Sequence, residues 1–119
     1  IPDIKGNKAN YIYSKTYTGN GKLYGYFNAP GYVSNPPDYV NDKSMQTFEI
    51  DVYNKTVKKM NFDGTTGWSC SQCKAGDYMV FGMASTQGTG YYLYNYKEDK
   101  YEPLKIKTEG NPFKIQYLK

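Results

Sequence analysis

Apolar and polar positions alternate with a period of two along most of this chain, the pattern of strands with unlike faces. No stretch carries apolar residues at i, i+3, i+4 and i+7 without an interrupting Gly, Pro or β-branched residue, and 38–45 offers at most a short turn of helix. Strands are predicted over 10–17 and 22–28, flanking Thr18-Gly19-Asn20-Gly21, whose Asn-Gly step supplies the positive φ angles of a tight hairpin. Residues 47–53 set Phe48, Ile50 and Val52 against Glu49, Asp51 and Tyr53, then turn at Asn54-Lys55-Thr56 into 57–62. The nearly continuous apolar run 77–84 reads as a strand covered on both faces. Strands over 91–96 and 101–107 follow, and 113–118 closes the chain after Gly110-Asn111-Pro112. This rhythm predicts one all-β domain over 1–119, a mainly antiparallel sandwich or open barrel of about eight short strands.

Two segments, 48–62 and 92–106, repeat the order strand, polar turn, strand, and read as similar hairpins within one sandwich. Parity then says which side chains share a face. Glu49 and Asp51 lie opposite Phe48, Ile50 and Val52, so theirs is the face expected to meet water. Tyr92, Tyr94 and Tyr96 lie opposite Tyr91 and Leu93; with the latter pair buried, the former would stand as a tyrosine ladder open to a partner. The long connection from Ala29 to Gln46 breaks the strand rhythm with Pro30, Gly31, Pro36 and Pro37. Its Tyr32 and Tyr39 read either as a binding surface or as the cover of a crossover between sheets.

Composition narrows the chemistry. The 119 residues include 15 tyrosines and no histidine, and all 15 basic residues are lysine. The chain therefore has no imidazole for catalysis or metal ligation, and no guanidinium fork for phosphate. A mean hydropathy of −0.80 understates its core-forming capacity, because tyrosine scores as polar while carrying a large buriable ring. The net charge of +4 is spread over scattered lysines, with Lys58-Lys59 the sole adjacent pair. That pattern is a solvated surface; nucleic-acid footprints cluster their charge and favour arginine. No run approaches the ~18 apolar residues of a membrane span. The chain begins at Ile1 rather than Met, as a processed mature chain or a trimmed form would.

Cys70-Ser71-Gln72-Cys73 is the sharpest local motif. Without a histidine or third cysteine it cannot complete a tetrahedral zinc site, and it lacks the helix N-terminus that activates redox dithiols. A local Cys70–Cys73 disulfide in an oxidising compartment is the expectation that remains, placing the protein outside the cell or on its surface. Trp68 stands beside this motif in a loop where an indole could stack on a sugar face. Carboxylates form no acid/base pair by spacing, and Asp63-Gly64-Thr65 and Asp3 lack the spaced acidic loop of a calcium site. No metal, cofactor or enzymatic chemistry is expected. The reading is a recognition module, secreted or surface-displayed, that binds a glycan or protein through Trp68, Tyr92, Tyr94, Tyr96, Tyr32 and Tyr39. The alternatives are an assembly subunit self-associating through tyrosine-rich faces, and an OB-like binder of single-stranded nucleic acid.

Overall fold

The structure, a computed structural model, describes residues 3–4, 7–8, 12–38 and 40–110. Strands β1 (Asp3–Ile4) and β2 (Asn7–Lys8) form a small antiparallel ribbon. The alternating segments that follow build two four-stranded antiparallel sheets. The first contains β3 (Ile12–Gly19), β4 (Lys22–Asn28), β5 (Met45–Asp51) and β6 (Thr56–Lys59); the second contains β7 (Ser71–Ala75), β8 (Tyr78–Ser85), β9 (Gly88–Asn95) and β10 (Lys100–Lys107). Within each sheet the strands lie side by side in chain order, so each strand pairs with its neighbour in sequence, and residues 60–70 alone carry the chain from one sheet to the other. The expected all-β, antiparallel architecture is thus present as two open meanders. Among the described residues no helix is long and apolar enough to cross a membrane.

The two segments singled out by their resemblance occupy equivalent places, as the third and fourth strands of their sheets. Asp51 Oδ1 accepts the backbone N–H groups of Tyr53 and Asn54 at 3.1 Å each, and Asn95 Oδ1 accepts those of Lys97 and Glu98 at 3.0 Å each. Lys55 and Asp99 then close the two turns with φ of 55° each. Both sheets also carry a bulged edge strand pressed against a glycine of its neighbour. A Cβ on Gly25 would lie 1.9 Å from Ser14 O of β3, and one on Gly90 would lie 2.0 Å from Ile106 O of β10.

The core between the sheets is aromatic and thioether-rich. Tyr24 and Tyr26 of β4 meet Met79, Phe81 and Met83 of β8 and Tyr92 and Tyr94 of β9, with Met60 and Phe62 of the connection filling the side. Tyr26 packs edge-on against Phe81 at 5.6 Å, and Phe62 edge-on against Tyr92 at 5.8 Å, the geometry ring quadrupoles favour. Each phenol buried here has an acceptor. Tyr24 donates to Glu49 Oε2, Tyr26 to the carbonyls of Ser71 and Gly82, Tyr92 to Gly88 O and Tyr94 to Asp99 Oδ1.

This overturns the expected exposure of the ladder. Tyr92 and Tyr94 point inward at 1% and 3% exposure, whereas Tyr91 and Leu93 on the opposite face are half-buried. Burying a large side chain stabilises by roughly 1.5–3 kcal/mol, and the hydroxyl bonds avoid the ~1–3 kcal/mol penalty of an unpaired polar group. A tyrosine whose hydroxyl reaches the rim can therefore displace leucine from the inner face. The parity of β5 is reversed likewise. Glu49 and Asp51 sit on the face toward the second sheet, both buried, while Phe48 and Phe27 form a separate small core on the outer face under Tyr32. The 29–44 connection joins adjacent strands of one sheet and covers that outer core; it is no crossover. In place of the short helical turn expected at 38–45, Asp42 N–H bonds Asp38 O at 2.9 Å over a turn at 40–41, and Met45 already belongs to β5.

The expected disulfide is absent, and both thiols are free. Ser71–Ala75 is an edge strand rather than a loop, so Cys70 and Cys73 fall on opposite faces. Three residues of extended chain span about 10 Å, beyond the ~6.8 Å limit for bridged Cα atoms. Cys70 points into the core, where burial pushes its thiol up to about 12, and Cys73 sits opposite Val80 on the outer face.

Candidate functional site

The β3–β4 turn, the Asp51 end of β5 and the turn after β9 meet at one end of the sandwich around a cleft of about 360 Å³. Strand register builds its inner wall. Lys22 pairs with Asp51, Tyr24 with Glu49, and Glu49 with Lys58 on the next strand, so all five side chains project from one face. The second sheet contributes Tyr94 and, just beyond β9, Tyr96 and Lys97. The Tyr24 ring lies 5.8 Å from that of Tyr94 and 6.3 Å from that of Tyr96. Tyr96 is the ring more open to solvent; its hydroxyl donates to Gly76 O at 2.6 Å.

The charges of this cleft largely answer one another. Lys22 Nζ lies 2.9 Å from Asp51 Oδ2 and 3.3 Å from Glu49 Oε1, and Lys58 Nζ is 3.8 Å from the same Glu49 oxygen. Tyr24 Oη donates to Glu49 Oε2 at 2.7 Å. The Lys22 hydrogen bond, aided by Asn54, holds the Asp51 carboxyl well below the usual carboxylate range, and Asp51 in turn raises Lys22. Burial foremost, then the Glu49 and Asp99 carboxylates, keep the Tyr24 and Tyr94 phenols neutral far into the alkaline range. Lys97, exposed at the mouth, has no carboxylate within ion-pair distance among the described residues.

A second cleft, about 390 Å³, opens at the opposite end, where β5 begins and the β8–β9 turn comes down. Tyr32, Asp42, Gln46 and Lys59 from the first sheet and its long connection line it together with Asp63, Gly64 and Thr86. Asp42 Oδ2 ties the connection together, accepting from Ser34 N at 2.9 Å, Ser34 Oγ at 3.0 Å and Asp38 N at 3.0 Å. Those backbone donors hold its carboxyl below the ordinary value.

No family model, curated protein or solved structure matches this chain. The clefts themselves must carry the functional argument.

The residues expected to bind are dispersed. Tyr94 and Tyr96 line the first cleft and Tyr32 the second, whereas Tyr92 is buried in the core. Trp68 is 62% exposed on the connection between the sheets and lines neither cleft. Tyr39 lies outside the described residues. Sequence reasoning missed Lys22, Tyr24, Glu49 and Lys58 at one end and Gln46 at the other. Pairing β4 with β5 in register would have found Lys22, Tyr24 and Glu49, since it sets Lys22 against Asp51 and Tyr24 against Glu49, and the β5–β6 hairpin adds Lys58 opposite Glu49. Sixteen residues of irregular connection separate β4 from β5, so no local turn fixes that register.

Proposed function

We propose that this chain is a non-enzymatic recognition module that binds a glycan in the tyrosine-lined cleft. The observation that carries this reading is the juxtaposition of the Tyr96 ring with the Lys58 and Lys97 ammonium groups and Asn20 around one open mouth. An aromatic face with polar donors at its edge suits a sugar ring, which offers C–H surface on one side and oxygen acceptors around its rim. The acceptors of the cleft are occupied by Lys22 and Tyr24, so it presents chiefly donors, which favours sugars rich in acceptor oxygens, carboxylate-bearing ones included. Binding rather than turnover is supported by Glu49 and Asp51, whose oxygens are held by neighbouring donors. Display outside the cell belongs to the same proposal, without the disulfide that suggested it.

A glycan array probed with the intact chain tests the reading. Hits that vanish with Tyr96→Ala and weaken with Lys97→Ala support it; an empty array, or hits indifferent to both changes, removes it. Trp68→Ala on the same array shows whether the exposed indole contributes. Self-association is a second reading, favoured by the exposure of Tyr17, Val52, Tyr53 and Val57 at one end of the first sheet. A mass that rises with concentration in light scattering would mark it.

A further inference from the structure

Gln46 is fully buried, yet half of its amide is unanswered. Its Nε2 donates to Lys43 O at 2.8 Å, which fixes the orientation, because exchanging N and O would set two oxygens face to face. Its Oε1 has no hydrogen-bond partner among the described residues. The backbone makes room for this arrangement at Gly64, where a Cβ would lie 2.0 Å from Gln46 Nε2 and 2.4 Å from Lys43 O. Gln46, Lys43 and Gly64 all line the cleft at the β8–β9 end. Buried polar groups are almost always paired, so an acceptor left over at the lining of a cleft points to a donor supplied from outside.

The rest of the lining narrows the donor's identity. Asp63 takes the Thr86 hydroxyl on Oδ2 and Asp42 uses Oδ2 for the connection, leaving the other oxygen of each carboxylate to accept. Lys43 Nζ is bound to Ala84 O at 3.0 Å, and Lys59 Nζ to Met60 O at 3.2 Å and Phe62 O at 3.0 Å. Two carboxylates and two ammonium groups cancel, so the cleft attracts neither a cation nor an anion strongly. Its surplus is in acceptors, and Tyr32 supplies one aromatic wall. We propose that this cleft binds a neutral sugar residue whose neighbouring hydroxyls donate to Gln46 Oε1 and to the Asp42 and Asp63 carboxylates. This site shares no residue with the tyrosine-lined cleft and stands or falls separately from it.

Nuclear magnetic resonance titration of the intact ¹⁵N-labelled chain with the methyl glycosides of glucose, galactose, mannose and N-acetylglucosamine tests the proposal. At least one should shift the Gln46 side-chain amide and the Gly64 backbone signal saturably. Gln46→Met should weaken that binding about tenfold or more, the cost of losing a buried polar contact. Asp63→Asn, at the exposed rim, should weaken it several-fold and serves if the Met variant misfolds. Tyr96→Ala should leave these shifts intact, which separates failure here from failure of the first site. No saturable shift with any glycoside overturns the proposal, as does a shift unaltered by Gln46→Met or Asp63→Asn. Saturable shifts of the same signals by calcium chloride alone would overturn it in favour of a cation site.

Discussion

The two ends of the sandwich solve the same problem differently. Both bury polar side chains at the rim of an aromatic core, but around Glu49 the carboxylate oxygens meet Lys22 and Tyr24, whereas Gln46 leaves an oxygen unmet. A satisfied network holds its own shape and contributes to folding; an unsatisfied acceptor reduces stability until something donates to it. The first cleft therefore offers a ligand only the donors and ring faces left over from its network, whereas the second offers an unmet acceptor.

The largest effect is expected at alkaline pH, where the Tyr24 and Tyr94 phenols of the satisfied end act together with Tyr26 and Tyr92 of the wider core. Burial raises the Tyr24, Tyr26, Tyr92 and Tyr94 phenols above their ordinary value of 10.0. Each neutral phenol contributes stability that is intact below that value and is lost as pH rises toward the folded-state value. Cooperative unfolding is expected above pH 10, with tyrosinate absorbance and circular dichroism changing together; stepwise phenol titration with the fold intact would contradict it. Acid acts through Asp51, whose depressed carboxyl contributes stability above the ordinary value of 3.8 that is lost as pH falls below it.

Next in size is the contrast between the two ends. Glu49→Ala leaves the buried Tyr24 hydroxyl without its acceptor and should cost about 2–3 kcal/mol in urea unfolding. Gln46→Met removes one hydrogen bond and one unpaired acceptor together, so its change should stay within about 0.5 kcal/mol. Equal losses from the two variants would abolish the distinction drawn here. Tyr94→Phe, which deletes a single hydrogen bond to the exposed Asp99, should fall between them at about 1 kcal/mol. The smallest effect is none at all: with Cys70 and Cys73 on opposite faces, a reducing agent should leave the thermal midpoint unchanged. A drop on reduction would mean a bond between them.

Alternation made most of the strands legible, and Asn20-Gly21 and Lys55 marked hairpins that the structure contains. It missed β7, because Ser71-Gln72-Cys73-Lys74-Ala75 is a polar edge strand without an apolar face to announce it. More importantly, parity reveals which residues travel together and is silent on which way they face. Tyr92 and Tyr94 compete with Tyr91 and Leu93 for the interior, and the outcome depends on acceptors such as Gly88 O and Asp99 that only the folded chain brings within reach. The clefts were less legible still. Each joins residues from both sheets, and that contact is set by how one meander lies on the other, which no single segment encodes.

The connection at 60–70 has a consequence for assembly. Each meander is complete in its own pairing, and one covalent pass joins the two halves of the core. The second meander of one molecule can therefore lie on the first meander of another, rebuilding the same Tyr24–Tyr94 and Tyr26–Phe81 contacts across two chains. Nothing new need be invented for such an exchanged dimer: its interface would be the monomer's own interior. Two fragments divided within 60–70 would likewise carry all the strand pairings needed to find each other in solution.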